Sequence, residues 1–245
     1  MPVSASAFKD WLEGCGLTTS PSQLSRISGF HRVTLTNQMK RGNVPESVVV
    51  AIARASNMDP VRGLAAFAGY EDIDTRPRQP TATELLSQVH HLDLMAELQH
   101  RSSQKKFPRA LRKEFRLIDF PYDGSHRSWI DAIDTGEVRH QVAELTNTSM
   151  TYVYAQLTDN KLGPVQAVTA GRITGGSMTS GLVVTGLLTP LEGDWPIRAR
   201  EDALLEVSDD DLIELIRQRI QLLQRRQRQR KEALDYAEKL TELLG

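Results

Sequence analysis

Cysteine is almost missing from this chain, with Cys15 alone among 245 residues. A single cysteine excludes an internal disulfide and a zinc site built from several cysteines. The chain also lacks a run of about 18 apolar residues, the length needed by a membrane-spanning helix. Its first residues do not show the basic and then apolar pattern of a secretion signal. We therefore expect a cytoplasmic protein.

Sequence motifs of the common enzyme classes are missing as well. There is no phosphate-binding loop, no HExxH and no GxSxG. His90 and His91 are the most tempting metal ligands, but adjacent residues of a helix point in different directions. We expect no enzymatic activity, no cofactor and no metal.

The charge balance gives no overall indication of a nucleic-acid partner, because 30 Lys and Arg oppose 31 Asp and Glu. Basic residues are instead concentrated in two runs, 101–116 and 217–231, with seven in each. Either run can be a solvated face or can follow DNA phosphates. The 40% apolar content is typical of folded proteins, and the length favours two domains with connectors.

The first 70 residues show helical spacing of apolar positions and no alternation typical of strands. Turn residues separate the helices: Pro21 opens the second, Gly29 supplies a left-handed turn, and Gly42 ends the third. The predicted helices span 5–13, 22–28, 32–41, 46–56 and 60–67.

A second region matches the first at a constant offset of 118 residues, as in Trp11 with Trp129 and Leu35 with Val153. The matching positions are mainly those that face the core of a small helical domain. Asn147 replaces Gly29, and both residue types tolerate a left-handed turn. The sequence therefore predicts an all-α fold with two tandem five-helix domains.

Two further helices are indicated. Thr81 and Glu84 form a capping-box pattern that starts an amphipathic helix of about 18 residues. Ser208, followed by three aspartates, starts a long terminal helix with a heptad seam at Ile213, Ile216, Ile220 and Leu223. The predicted divisions are a DNA-binding domain at 1–72, a linker at 73–125, a second, divergent domain at 126–190, and an acidic connector with the terminal helix at 191–245.

The segment 23–42, QLSRISGFHRVTLTNQMKRG, has the layout of a helix-turn-helix. With Leu35 and Met39 facing inward, the outward face of the second helix contains no acidic residue. Arg and Asn can bind guanine and adenine, Val and Thr can contact a thymine methyl, and Lys suits phosphates. The outward and flanking residues are Arg32, Val33, Thr34, Thr36, Asn37, Lys40 and Arg41.

Residues 8–70 resemble the lambda-repressor-like (Xre) helix-turn-helix family. The segment 34–70, TLTNQMKRGNVPESVVVAIARASNMDPVRGLAAFAGY, is similar to the regulators and phage or prophage immunity repressors of actinobacteria. The resemblance implies five short helices around one core, a phosphate contact by Gln23, and base contacts by Arg32, Val33, Thr36 and Asn37. The recognition segment is one residue longer than the commonest spacing in that family.

We therefore expect a sequence-specific regulator that binds double-stranded DNA, a repressor that acts as a homodimer. The dimer element is either the terminal helix or the helix at 85–98. The second domain either serves packing and dimerisation or contacts a second DNA element. The alternative function is a protein-interaction adaptor, such as an antitoxin or an RNA-polymerase-binding factor, with its partner on the second domain or the terminal helix. Further candidate DNA contacts are His31, Lys105, Lys106, Arg109, Gln141, Thr151, Tyr152 and Gln156.

Overall fold

The computed structural model describes residues 3–75, 78–103 and 116–244. The candidate contacts Lys105, Lys106 and Arg109 lie outside these ranges. The fold is all-α, as expected, apart from a two-residue antiparallel ladder. The chain divides into a larger compact unit, Met1–Gln88 with Asp119–Ala199, and a smaller one, Val89–Ile118 with Arg200–Gly245.

The larger unit begins with a set of five helices, called here the first helical set. Its core contains Phe8, Leu12, Leu24, Leu35 and Leu64, all at most 1% exposed. The predicted helices are confirmed to within one or two residues at each end. The elements are β1 (Val3–Ser4), α1 (Ala5–Gly14), α2 (Pro21–Ser28), α3 (Arg32–Lys40), β2 (Asn43–Val44), α4 (Glu46–Ala55) and α5 (Pro60–Ala65).

The prediction of a single helix after Thr81 is wrong. The capping box at Thr81 is present, but the chain forms two helices, α6 (Ala82–Ser87) and α7 (His91–Ser103). The break occurs because the buried Gln88 amide donates to the Ser125 carbonyl at 3.2 Å, while His90 Nδ1 accepts from the Leu92 N–H at 3.3 Å. These side-chain bonds to the backbone take the place of continued helix.

Five more helices form what we call the second helical set, also in the larger unit. The helix α10 has the bounds of α3 displaced by 118 residues. Asn147 has a φ of +50° where Gly29 has +73°, so the predicted left-handed turn is confirmed. Asn160 similarly matches Gly42, with φ values of +56° and +80°. The elements are α8 (Ser125–Ile133), α9 (Val138–Leu145), α10 (Met150–Thr158), α11 (Pro164–Thr174) and α12 (Met178–Val184).

The smaller unit contains α7, α13 (Ala199–Glu206) and α14 (Asp209–Leu244), and α7 packs against α14. Arg101 fixes this arrangement because its guanidinium donates to Glu97 and Asp209, each at 2.7 Å, and to the Leu204 carbonyl at 2.8 Å. Bidentate and multiple contacts of this kind are geometrically specific.

The predicted heptad seam of α14 is divided between two environments. Ile216 is buried together with Leu212, while Ile213 is 50% exposed. The buried face, which packs on α7, shares Ile216 with the predicted seam but uses Leu212 and Arg219 where the seam has Ile213 and Ile220. Within the parts of the chain that the structure describes, every helix is too short or too polar to cross a bilayer.

Candidate nucleic-acid interface

The outward face of α3 lies open to solvent along its whole length. Val33, in the first turn of the helix, is 70% exposed, and the 31–43 segment contains no acidic residue. All but one of the residues that the sequence placed on this surface are exposed, and Thr36 is half-buried. The exposed members are His31, Arg32, Val33, Thr34, Asn37, Lys40 and Arg41.

Packing beneath α3 fixes its position. Leu35 is 1% exposed and Leu24 of α2 is fully buried, and α2 packs against both α3 and α4. Between the helices, the Ser25 hydroxyl donates to the Phe30 carbonyl at 2.7 Å, which closes the turn around Gly29. Met39, expected as a second inward anchor, is only half-buried. The exposed face of α3 is therefore held mainly through Leu35.

A short β-ladder holds the far end of α3, and the sequence pattern did not indicate it. Val3 pairs with Val44 and Ser4 with Asn43, directly after the turn at Gly42. The Ala5 N–H also donates to the Gly42 carbonyl at 2.9 Å. A side-chain hydrogen bond thus holds the turn before α3, and backbone hydrogen bonds hold the segment after it, which suits a surface that must keep its shape on binding.

Gln23 and Thr36 lie at the edges of this surface. Gln23 is exposed in the first turn of α2, where the resemblance implies a phosphate contact. The Thr36 hydroxyl donates to the Arg32 carbonyl at 2.9 Å, one turn back along the helix. Its hydrogen is therefore engaged in the free protein, and its methyl group and oxygen lone pairs are what it can offer to a base.

The equivalent helix α10 presents a different chemistry. Thr151, Tyr152 and Ala155 are exposed, and Tyr152 is 51% accessible. The helix contains no Lys or Arg, and Asp159 is exposed at the position that matches Arg41. The helix α10 can therefore make mainly apolar and aromatic contacts.

Two of the candidate contacts around α10 are less accessible than the sequence suggested. Gln141 is half-buried in α9. Gln156 is also half-buried, and its Oε1 is out of contact with solvent, without a hydrogen-bond partner among the described residues. The corresponding Gln38 of α3 has the same arrangement. The amide contact expected of Gln156 stays a prediction, with its Oε1 shielded from solvent in the free protein.

Comparison with known proteins assigns neither a family nor a function to this chain. No family model, curated protein or solved structure matches the chain. What this chain can bind must therefore be inferred from the chemistry and geometry of α3 and α10.

Two side chains outside the expected set fix α10 in place. His126 of α8 is 4% exposed, and its Nδ1 accepts from the Leu162 N–H at 3.0 Å. Asn160 Oδ1 accepts from the Gly124 and His126 N–H groups at 3.1 and 3.0 Å. These bonds join the segment after α10 to the start of α8, as the β-ladder does in the first helical set. The sequence contains one signal for the buried histidine: His126 stands 118 residues after Phe8, which lies in the core of the first helical set.

We expect His126 to make the protein less stable in mild acid. Burial lowers the pKa of its imidazole from 6.5 to about 4. A depressed folded-state pKa gives stability that is present above pH 6.5 and is lost as the pH falls towards 4. The loss should reach about 1 kcal/mol at pH 5.5. Urea unfolding of wild type and His126→Asn between pH 7.5 and 5 measures it.

Asparagine is the matched substitution because its carbonyl oxygen can accept from Leu162 while it cannot titrate. The variant should lose less stability than wild type between those pH values, whatever its stability at pH 7.5. Parallel pH profiles for the two proteins would show that His126 does not carry the acid sensitivity.

Proposed function

We propose that the chain is a sequence-specific regulator of transcription that binds double-stranded DNA, acts as a repressor, and inserts α3 into the major groove. The observation that carries the proposal is the acid-free exposed face of α3 over a fully buried Leu35. A major groove is wide enough for one helix, and its base edges match Arg, Asn and β-branched side chains. Occlusion of a promoter is the mechanism of repression that follows most simply from such binding.

The finer architecture is part of the same proposal. The two helical sets are two tandem lambda-repressor-like helix-turn-helix domains, each of five helices. Three observations support this: the shared bounds of α3 and α10, the left-handed turns at Gly29 and Asn147, and a common packing of glycine on tryptophan. A Cβ atom on Gly63 would lie 3.6 Å from the Trp11 ring, and one on Gly181 would lie 2.9 Å from the Trp129 ring.

The partner for a homodimer would bind along α14. Its exposed apolar side chains include Ile213, Ile220 and Leu234, which are 50%, 38% and 65% exposed. Their spacing of seven or fourteen residues keeps them on one stripe of a helix that is 36 residues long. A second copy of the same helix offers the matching stripe, with the basic residues of 217–231 flanking it.

Phosphate contacts should come from the basic residues at the end of α3. Lys40→Ala with Arg41→Ala is expected to weaken binding to all duplexes alike, because phosphates carry no sequence information. The slope of log K against log salt should become shallower by up to about 2, close to one for each lost contact. Fluorescence anisotropy from 50 to 300 mM salt measures both effects.

Arg62→Ala is the matched control for this pair of substitutions. Arg62 lies in the same helical set with a side chain that is 75% exposed, but it is directed towards Asp74 at 3.8 Å instead of lying on α3. It should leave the affinity and the slope unchanged. A slope that stays constant in the double variant would remove Lys40 and Arg41 from the interface.

Selection of bound fragments from random-sequence duplexes tests the function as a whole. The full chain is expected to enrich one motif, and that motif should bind at least a thousandfold more tightly than unrelated DNA. Recovery of no motif, together with equal binding to all duplexes, would contradict the proposal. Co-purification of a protein that stays bound at a salt concentration that strips DNA would favour the adaptor function instead.

A further inference from the structure

Two arginines make reciprocal contacts between the helical sets of the larger unit. Arg54, near the end of α4, donates from Nη2 to the Leu187 carbonyl at 3.0 Å. Arg172, at the matching position of α11, donates from Nη2 to the Gly69 carbonyl at 3.2 Å. Both the arginines and their acceptors are separated by 118 residues, so each arginine binds the equivalent of the other's acceptor.

Each arginine also donates hydrogen bonds from two nitrogens to one carboxylate of the opposite set. Arg54 donates to Glu192 from Nε at 2.7 Å and from Nη2 at 2.6 Å. Arg172 donates to Asp72 in the same way, at 2.8 and 2.5 Å. The hydrogen bonds from Arg54 hold the pKa of Glu192 below its usual value. Bidentate pairs of this type fix orientation as well as distance.

Contacts that repeat with the two partners exchanged are the mark of a two-fold interface. In a symmetric dimer, residue i of one protomer contacts residue j of the other, and the reverse also holds. Here the relation occurs within one chain, between Arg54 with 187 and Arg172 with 69. The two helical sets are therefore related by an approximate two-fold axis, and the same axis relates α3 to α10.

An inference about the DNA target follows from this geometry, and that inference rests on the proposed function. We infer that one chain carries both halves of a DNA reader, and that its target is a two-part site whose halves differ in sequence. The first half is contacted by α3, and the second by α10. A symmetric regulator obtains two reading helices from two protomers; this chain supplies both itself.

The differences between α3 and α10 determine how the halves should differ. Arg32 and Asn37 favour guanine and adenine contacts, whereas Thr151, Tyr152 and Ala155 favour the methyl groups of thymine. Asp159, exposed where the first set has Arg41, repels phosphate. The half contacted by α10 should therefore contribute base preference and little affinity.

Two single substitutions in the full chain test the role of α10 on the duplex recovered by selection. Tyr152→Ala should relax base preference in one half of the site and leave the other half unchanged. Asp159→Lys should raise affinity about fivefold at low salt, because a repelling charge becomes a phosphate contact. A gain in affinity is not an outcome that misfolding can produce.

Asp202→Lys is the control for charge, since it makes the same change at an exposed position of α13 in the smaller unit. It should alter affinity less than twofold. Inserting five base pairs between the two halves turns one half by about half a helical turn, and binding should fall at least tenfold. Titration with the selected duplex should saturate at one two-part site for each chain, so a dimer formed through α14 would bind two duplexes.

The possible outcomes separate this inference from the proposed function. If Tyr152→Ala and Asp159→Lys change nothing and the insertion is tolerated, while Asn37→Ala still lowers specificity, α10 is not on DNA and only the inference fails. A palindromic site that binds two chains would also overturn the inference. If Asn37→Ala has no effect either, both proposals fail together.

Discussion

Replacing Leu35 with alanine is expected to lower the free energy of unfolding by about 3 kcal/mol. Leu35 is 1% exposed and is the main side chain that joins α3 to the core beneath it. Removing three carbon atoms there leaves a cavity between α2 and α3, and the neighbouring helices can close it only in part. Urea unfolding followed by circular dichroism measures the change.

Val33→Ala is the matched control on the same helix. Val33 is 70% exposed, so its loss should change stability by no more than about 0.5 kcal/mol. Its effect should instead appear in DNA binding, through a lost apolar contact with a base. If Leu35→Ala proved as mild as Val33→Ala, the buried attachment of α3 would be wrong.

The second large effect is expected at Gly181. A Cβ atom there would lie 2.7 Å from the Ala167 carbonyl oxygen and 2.9 Å from the Trp129 ring. Both are closer than atoms in contact can approach, so α11 or α12 must move. Overpacking of this kind costs about 3 kcal/mol, and the better helix propensity of alanine returns about 1 kcal/mol. Gly181→Ala should therefore destabilise the protein by about 2 kcal/mol.

Gly63→Ala tests the same position in the first helical set. The nearest atom to its Cβ would be the Ala53 Cβ at 3.2 Å, a contact that a small shift can relieve. The gain in helix propensity should offset that shift, and the variant should be within about 0.5 kcal/mol of wild type. Equal costs at Gly63 and Gly181 would show that the two sets pack alike at this point.

Local signals account for what the sequence predicted well. The bounds of α1 to α5 follow from turn residues and from the helical spacing of apolar positions, which act within a few residues. The exposed face of α3 follows from Leu35, since one inward residue fixes the direction of all others on a helix. Asn147 was placed in a left-handed turn for the same kind of local reason.

Long-range contacts account for most of what the sequence could not predict. The break after Ser87 depends on Gln88 reaching the Ser125 carbonyl, 37 residues away along the chain. The ladder between Val3 and Val44 is too short to leave an alternating pattern. Neither feature changes the spacing of apolar residues, so neither can be predicted from the periodicity of the sequence.

The reciprocal arginines have one signal in the sequence, which is their identity. Arg54 and Arg172 are among the few identical residues at the offset of 118, and both are exposed. A charged residue that recurs in a divergent repeat indicates a shared contact more than a shared core. Its partners, Glu192 and Asp72, are offset by 120 residues and could not be paired by the repeat alone.

The most direct measurement of the central claim is a specificity ratio, the affinity for the selected duplex divided by that for unrelated DNA. It should be compared by competition for wild type, Arg32→Ala, Asn37→Ala and the control Arg62→Ala. Each α3 substitution is expected to lower the ratio about tenfold or more, since one bidentate base contact is worth about 1 to 3 kcal/mol. The control should not change it. A ratio that stays within twofold of wild type in both α3 variants would contradict the reading of DNA by this helix.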